Sequence, residues 1–141
     1  MTAHYFNFYT STNAVGDHVV DMVDGDTLFV TQFGGLVALG SASRGVTATG
    51  DVDIKISGEV YSATTYAIYG DVAYSTVDIG ATGSVTGAYG VHLTGANNAI
   101  ANSGTVQATS SYGMWTTGDY SRISNTGRVS AGADGIWSDG S

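Results

Sequence analysis

Five positions in this chain have the residue types and the spacing to do chemistry: Thr47, Tyr69, His92, Trp115 and Trp137. Each directly follows an apolar residue (Val46, Ile68, Val91, Met114 and Ile136), and the set recurs at near-equal intervals along the chain. If the apolar residue points into a core, the alternation of an extended strand turns its successor outward. Four of the five are flat rings. Stacked at the strand spacing of about 4.8 Å, they form a stripe on one outer face. Such a stripe can stack on sugar rings or bury against a partner protein, and it can equally cover a flat β-face by mutual stacking. Tyr66, Tyr89 and Tyr112 form a second column near a turn, placed to pack beside the first.

The carboxylates are the other chemical candidates. Asp51 and Asp53 share a face by spacing, and Asp71 and Asp78 lie in the link after Ile68. Paired carboxylates can serve as acid and base in glycoside hydrolysis. No His or Lys stands beside these pairs in a matching column, and Gly50-Asp51 and Gly70-Asp71 read as solvated turns. His4, His18 and His92 have no metal-ligand spacing, and there is neither a nucleophile elbow nor a phosphate loop. The Thr-x-Thr array of an ice-binding face is present only once, as Thr47-Ala48-Thr49. The residues therefore assign no catalytic site, no cofactor and no metal.

What positions the aromatic column is an internal repeat. The phrase Ile-x-Asn-x-Gly-x-Val runs from Ile100 to Val106 and again from Ile123 to Val129. Three columns extend it along the chain: Val37, Val60, Val85, Val106 and Val129; Val46, Ile68, Val91, Met114 and Ile136; and Ile54, Ile79, Ile100 and Ile123. Each third-column Ile precedes the next Val by six residues, so reading by twos places Ile, Asn or its equivalent, Gly and Val on one side. Repeats of about 20–50 residues signal solenoids, propellers or arrays. A turn of about 21–25 residues suits one coil of a parallel β-solenoid better than a propeller blade of four strands. Asn102 and Asn125 fall in one column, as an internal ladder of stacked amides that builds the rod.

Residues 1–26 do not carry the repeat. They are expected to form an N-terminal cap or an atypical first coil, with residues 27–141 as the solenoid. The fold expected is all-β: a right-handed parallel β-solenoid of about five coils. The chain stops inside a repeat at Ser141, which predicts an open end or one covered by another molecule.

Composition narrows the function classes. The 141 residues include 21 Gly, no Pro and no Cys, with four Lys or Arg against twelve Asp or Glu for a formal net charge of −8. That balance speaks against nucleic acid and anionic membrane surfaces. No apolar run approaches a membrane span, so no membrane insertion is expected. The N-terminus lacks the basic region and apolar core of a secretory signal, which leaves two readings: a cytoplasmic protein, or one exported by a route without an N-terminal signal.

The Ile-x-Asn-x-Gly-x-Val and Gly-Ile-Trp phrases resemble those of bacterial parallel β-solenoid surface proteins, including autotransporter passenger domains and large adhesins. The resemblance covers roughly residues 35–141 and is specific for architecture, since such families include adhesins, filaments, toxins and polysaccharide-cleaving enzymes. Asp24-Gly25-Asp26-Thr27-Leu28-Phe29 also resembles part of a calcium-binding repeats-in-toxin nonapeptide. The Gly-Gly-x-Gly-x-Asp pattern is missing, and no calcium site is carried over. The resemblance implies a secreted or cell-surface protein, exported without an N-terminal signal. The expected function is non-catalytic, structural or adhesive, with self-association into a homo-oligomer or filament through the solenoid ends or the aromatic face. The rival reading is a carbohydrate-binding or polysaccharide-cleaving β-helix. Its glycan-binding residues would be Tyr69, His92, Trp115 and Trp137.

Overall fold

The computed structural model describes residues 1–140; Ser141, the end of the expected repeat segment, lies outside them. Strand-forming residues alternate with small polar and glycine corners throughout, and no helix occurs among the described residues. The chain winds as six coils of three strands. The first coil holds β1 (Ala3–Phe6), β2 (Tyr9–Thr12) and β3 (Val20–Met22), and the second β4 (Thr27–Val30), β5 (Gly35–Ala38) and β6 (Val46–Ala48). The third holds β7 (Asp53–Ile56), β8 (Glu59–Ser62) and β9 (Tyr66–Asp71), and the fourth β10 (Thr76–Ile79), β11 (Ser84–Gly87) and β12 (Tyr89–Thr94). The fifth holds β13 (Ala99–Asn102), β14 (Thr105–Ala108) and β15 (Met114–Thr116), and the sixth β16 (Arg122–Asn125), β17 (Arg128–Ser130) and β18 (Ile136–Ser138).

Every third strand pairs in parallel, giving three six-stranded sheets: β1-β4-β7-β10-β13-β16, β2-β5-β8-β11-β14-β17 and β3-β6-β9-β12-β15-β18. This is a parallel β-solenoid. Its six coils exceed the expected five because residues 1–26 contribute three strands of their own, paired in register with the second coil. That coil carries no repeat phrase because its inward positions include the polar His4, Thr10 and Thr12, the partners of Leu28, Leu36 and Ala38.

The core is a set of columns running along the axis. Val20, Val46, Ile68, Val91, Met114 and Ile136 stack in the third sheet, as the sequence columns require. Leu28, Ile54, Val77, Ile100 and Ile123 stack in the first. Nearly all of these side chains are fully buried except at the sixth coil. A Leu or Val removed from water in this way is worth roughly 1.5–3 kcal/mol, so the stack of coils, not any one coil, carries the stability.

Two columns differ from the sequence reading. In the second sheet the inward residue is Leu36, paired with Val60, whereas Val37 pairs with Tyr61 and turns outward. In the first sheet Val77 pairs with Ile54 and Ile100, while Ile79 pairs with Ile56 and Asn102. The first difference is a one-residue slip between Gly34 and Gly35, and the second comes from corner length. Ser57-Gly58, Ser103-Gly104 and Thr126-Gly127 turn the corner between the first and second sheets with two residues, whereas 31–34 and 80–83 use four. In both longer corners the fourth N–H donates to the first carbonyl, 2.9 Å for Gly34 to Thr31 and 2.8 Å for Gly83 to Gly80. A β-turn is thus inserted at the corner without changing the face of the strands that flank it. Ala81, inward by counting, is consequently exposed. Glycine closes this corner in coils two to six because the coils touch there. A Cβ on Gly58, Gly104 or Gly127 would run into the carbonyl oxygen of the corner glycine one coil below, Gly34, Gly83 or Gly104.

Candidate functional site

The third sheet places Asp21, Thr47, Tyr69, His92, Trp115 and Trp137 in one outward row, each paired with the next. Tyr66 and Tyr89 open β9 and β12, and Tyr112 lies two residues before β15. Those rings fold over the row. Tyr66 stacks on Tyr89 at 4.4 Å and approaches His92 at 5.5 Å, and Tyr112 lies 5.0 Å from Trp115 and 5.8 Å from Trp137. Within the row, His92 lies flat on Trp115 at 3.8 Å and meets Tyr69 edge-on at 5.5 Å. The Arg44 guanidinium covers Tyr69 at 4.1 Å and lies 5.6 Å from Tyr66, a cation–π cap on that end of the cluster.

The rings bury one another as they stack. His92 is only 6 % exposed and Thr47 only 9 %; Tyr69 and Trp115 are half-buried, and Trp137 at the far end is 43 % exposed. Both imidazole nitrogens of His92, the Thr47 hydroxyl and the Trp115 indole N–H are hidden without a hydrogen-bond partner among the described residues. Burial, assisted by the positive charge of Arg44, lowers the His92 pKa to about 4. His92 is therefore neutral at pH 7. An aromatic face of this kind offers ring edges and the exposed Trp137 to a partner, and keeps its polar atoms out of reach.

Beside the first corner Asn102 is buried, and Asn125, its partner in the sixth coil, is exposed. Asn102 Nδ2 donates to Asn125 Oδ1 at 2.8 Å, and Asn102 Oδ1 accepts from the Gly104 N–H at 3.0 Å. Asn125 Nδ2 donates to the Gly127 carbonyl at 3.2 Å. A second buried amide, Asn98, has no counterpart in the sequence reading. Its Nδ2 is shared among the carbonyls of Val72 (2.9 Å), Thr94 (3.1 Å) and Gly95 (2.8 Å), and its Oδ1 accepts from the Ser75 N–H at 2.9 Å. It locks the turn from the third sheet to the first. The signal for it is the even recurrence of Ser75, Asn98 and Ser121, one per coil; the two serine hydroxyls likewise accept from the backbone one coil below.

The carboxylates disperse. Asp53 pairs with Lys55 at 2.7 Å and accepts from the Thr76 hydroxyl. Its pKa is lowered: burial pushes it up and the Lys55 and Thr76 contacts outweigh that. Asp71 accepts from Thr94 at 2.7 Å, and Asp51 is exposed. Asp26 is buried, holding the N–H groups of Thr2 at 2.6 Å and Val23 at 3.2 Å with His4 3.5 Å away. The Val23 N–H is the main cause of its lowered pKa. Asp26 thus ties the first coil to the turn before the second. No cluster of three or more His, Cys, Asp or Glu side chains suited to a metal ion occurs among the described residues.

No family model, no curated protein and no solved structure matches this chain.

Proposed function

We propose that the protein is a non-catalytic structural solenoid of a secreted or cell-surface protein, and that it self-associates end to end. The observation that carries this reading is the contrast between the two ends of the stack. The strands of the sixth coil, β16, β17 and β18, pair on one side only among the described residues. Unpaired parallel edges template the addition of a further coil. That coil carries Arg122 and Arg128, two of the four cationic side chains of the chain, beside Asp119, Asp134 and Asp139, and leaves Ile136 44 % exposed. Residues 1–26 hold Asp17, Asp21, Asp24 and Asp26 with no Lys or Arg. Continuing the register, the first coil of a second copy sets Val20 over Ile136 and Tyr9 over Arg128. The apolar column then runs on, and the two arginines of the sixth coil face a coil that holds no Lys or Arg. The absence of Cys and the scarcity of Lys support the surface placement through the resemblance to adhesin-type solenoids.

Sedimentation velocity over a concentration series tests the reading. The weight-average mass is expected to rise with concentration. The rise should diminish in Arg128→Glu and when ionic strength goes from about 0.05 to about 0.5 M, where the screening length shortens severalfold. A strictly monomeric chain at the highest concentration reached overturns it.

A further inference from the structure

The turn from the third sheet to the first passes through Tyr74, Asn97 and Tyr120, evenly spaced along the sequence and stacked one coil apart. All three hold the left-handed backbone conformation, with φ of 60°, 61° and 59°. Asn tolerates this region; for a residue such as Tyr it is strained. Neither tyrosine recovers that cost by burial, since Tyr74 is 67 % exposed and Tyr120 is 79 % exposed. Two strained positions that Gly or Asn would relieve instead hold exposed rings about 10 Å apart, with Asn97 between them. Strain kept where it serves no packing marks a surface used for recognition.

The turn borders a groove on the outer face of the first sheet. One part, about 290 Å³, is lined by Thr76, Asn97, Asn98, Ala99, Tyr120 and Arg122. An adjoining part of about 510 Å³ shares Thr76, Ala99 and Arg122 and runs on past Asp78. Together they fall in the size range of small-molecule sites. The floor is Ala99 and Ala101, whose short side chains stand between the taller Thr76 and Asp78 on one side and Arg122 on the other. The direct Asp53 contact raises the Lys55 pKa, and Asp78, which also lines the groove, adds to this.

We propose that this groove binds a neutral oligosaccharide. A pyranose ring has an apolar C–H face and a rim of hydroxyls that both donate and accept. Tyr120, which lines the groove, and Tyr74, outside its lining but two coils away in the same column of the turn, stack on the C–H faces. The Asp78 carboxylate accepts from hydroxyls, Arg122 donates to them, and the Asn97 amide does both. The alanine floor lets a flat ring approach the sheet. In the groove Asp53 and Asp78 balance Lys55 and Arg122, and the net charge of −8 on the whole chain disfavours polyanions, so a neutral glycan is favoured over an acidic one. Arg122 belongs to both readings, but Arg128 and Ile136 lie outside the groove, so Arg128→Glu tests association and the tyrosine variants test binding separately.

The test is isothermal titration of the full chain with hexasaccharides of β-1,4-glucan, β-1,4-mannan and α-1,4-glucan, and with hexagalacturonate as the anionic control. Glycine accepts the left-handed conformation without strain, so the double variant Tyr74→Gly/Tyr120→Gly removes both rings and keeps the backbone. At least one neutral hexasaccharide is expected to bind. The double variant should bind it about tenfold or more weakly with no fall in melting temperature, and Tyr74→Phe/Tyr120→Phe should retain binding. The proposal is overturned if no neutral hexasaccharide binds at millimolar concentration, if the glycine variant binds unchanged, or if hexagalacturonate binds as tightly.

Discussion

Replacing His92 by Phe should flatten the acid limb of the stability profile. The imidazole lies between Trp115 at 3.8 Å and Tyr69 and Tyr66 at 5.5 Å, with the Arg44 charge nearby, and both of its nitrogens are buried without partners. Folding therefore keeps it neutral down to about pH 4, whereas the unfolded chain protonates it near 6.5. Between these values the unfolded state binds the extra proton, so stability falls as the pH falls through that window and is intact above it. The full difference of roughly 2.5 units at about 1.36 kcal/mol per unit gives about 3 kcal/mol. The approach of water to one side of the ring cluster reduces this to roughly 2 kcal/mol. Phe carries no charge to bury and leaves no ring nitrogen unpaired. The row accepts a larger ring, since the positions on either side of His92 hold Tyr69 and Trp115. Urea denaturation followed by circular dichroism at pH 7.0, 5.5 and 4.5 should show the wild type losing stability across the series and His92→Phe losing less by about that amount. At pH 7.0 the variant should equal or exceed the wild type, since an unsatisfied buried polar group costs about 1–3 kcal/mol. Carboxylates confuse the comparison little, because Asp26 and Asp53 have lowered pKa values and give up their contribution only below about pH 4. Parallel profiles for the two proteins between pH 7.0 and 4.5 would refute the burial argument.

Asn98→Ala removes the donor to three carbonyls and the acceptor for the Ser75 N–H in a buried corner. It should destabilise the chain by about 3 kcal/mol or more, measured by chemical denaturation. Leu36→Ala and Val37→Ala separate the two registers of the second sheet. The first should cost about 2–5 kcal/mol as a core truncation and the second less than about 1 kcal/mol, and the reverse order would move the inward position back to Val37.

The repeat is legible where a column is both apolar and fixed in its neighbours. Val46, Ile68, Val91, Met114 and Ile136 follow a Gly or Ala, and counting aligns them as the sheet does. Asn102 and Asn125 announce themselves through a phrase repeated whole in successive coils. Leu36 is hidden because Gly34-Gly35 offers two glycines to align, one residue apart. A one-residue slip reverses every side chain of a strand. Ile79 misleads for the opposite reason. The turn inserted over residues 80–83 shifts the register by two, both Val77 and Ile79 point inward, and alternation cannot tell them apart. The first coil is obscure because its inward His4, Thr10 and Thr12 do not spell a core.

The candidate sites divide along the same physical line. Sequence alternation states which side of a strand a residue leaves by, and Tyr69, His92, Trp115 and Trp137 do leave outward. It does not state what folds back over them. Tyr66 and Tyr89 at the strand starts, with Tyr112 and Arg44 from the corners before them, turn an outward row into a half-closed cluster. The reverse holds for Tyr74 and Tyr120. In the sequence they are two tyrosines in irregular links. Only the backbone shows that both stand in the left-handed region with their rings in solvent beside a groove. In a solenoid the period writes the core columns into the sequence. The corners write the outer surface, and the residues that meet other molecules are found there. Conspicuous spacing in such a chain therefore points first to what holds the rod together. The residues that could recognise a ligand are those whose conformation costs stability without adding to the packing.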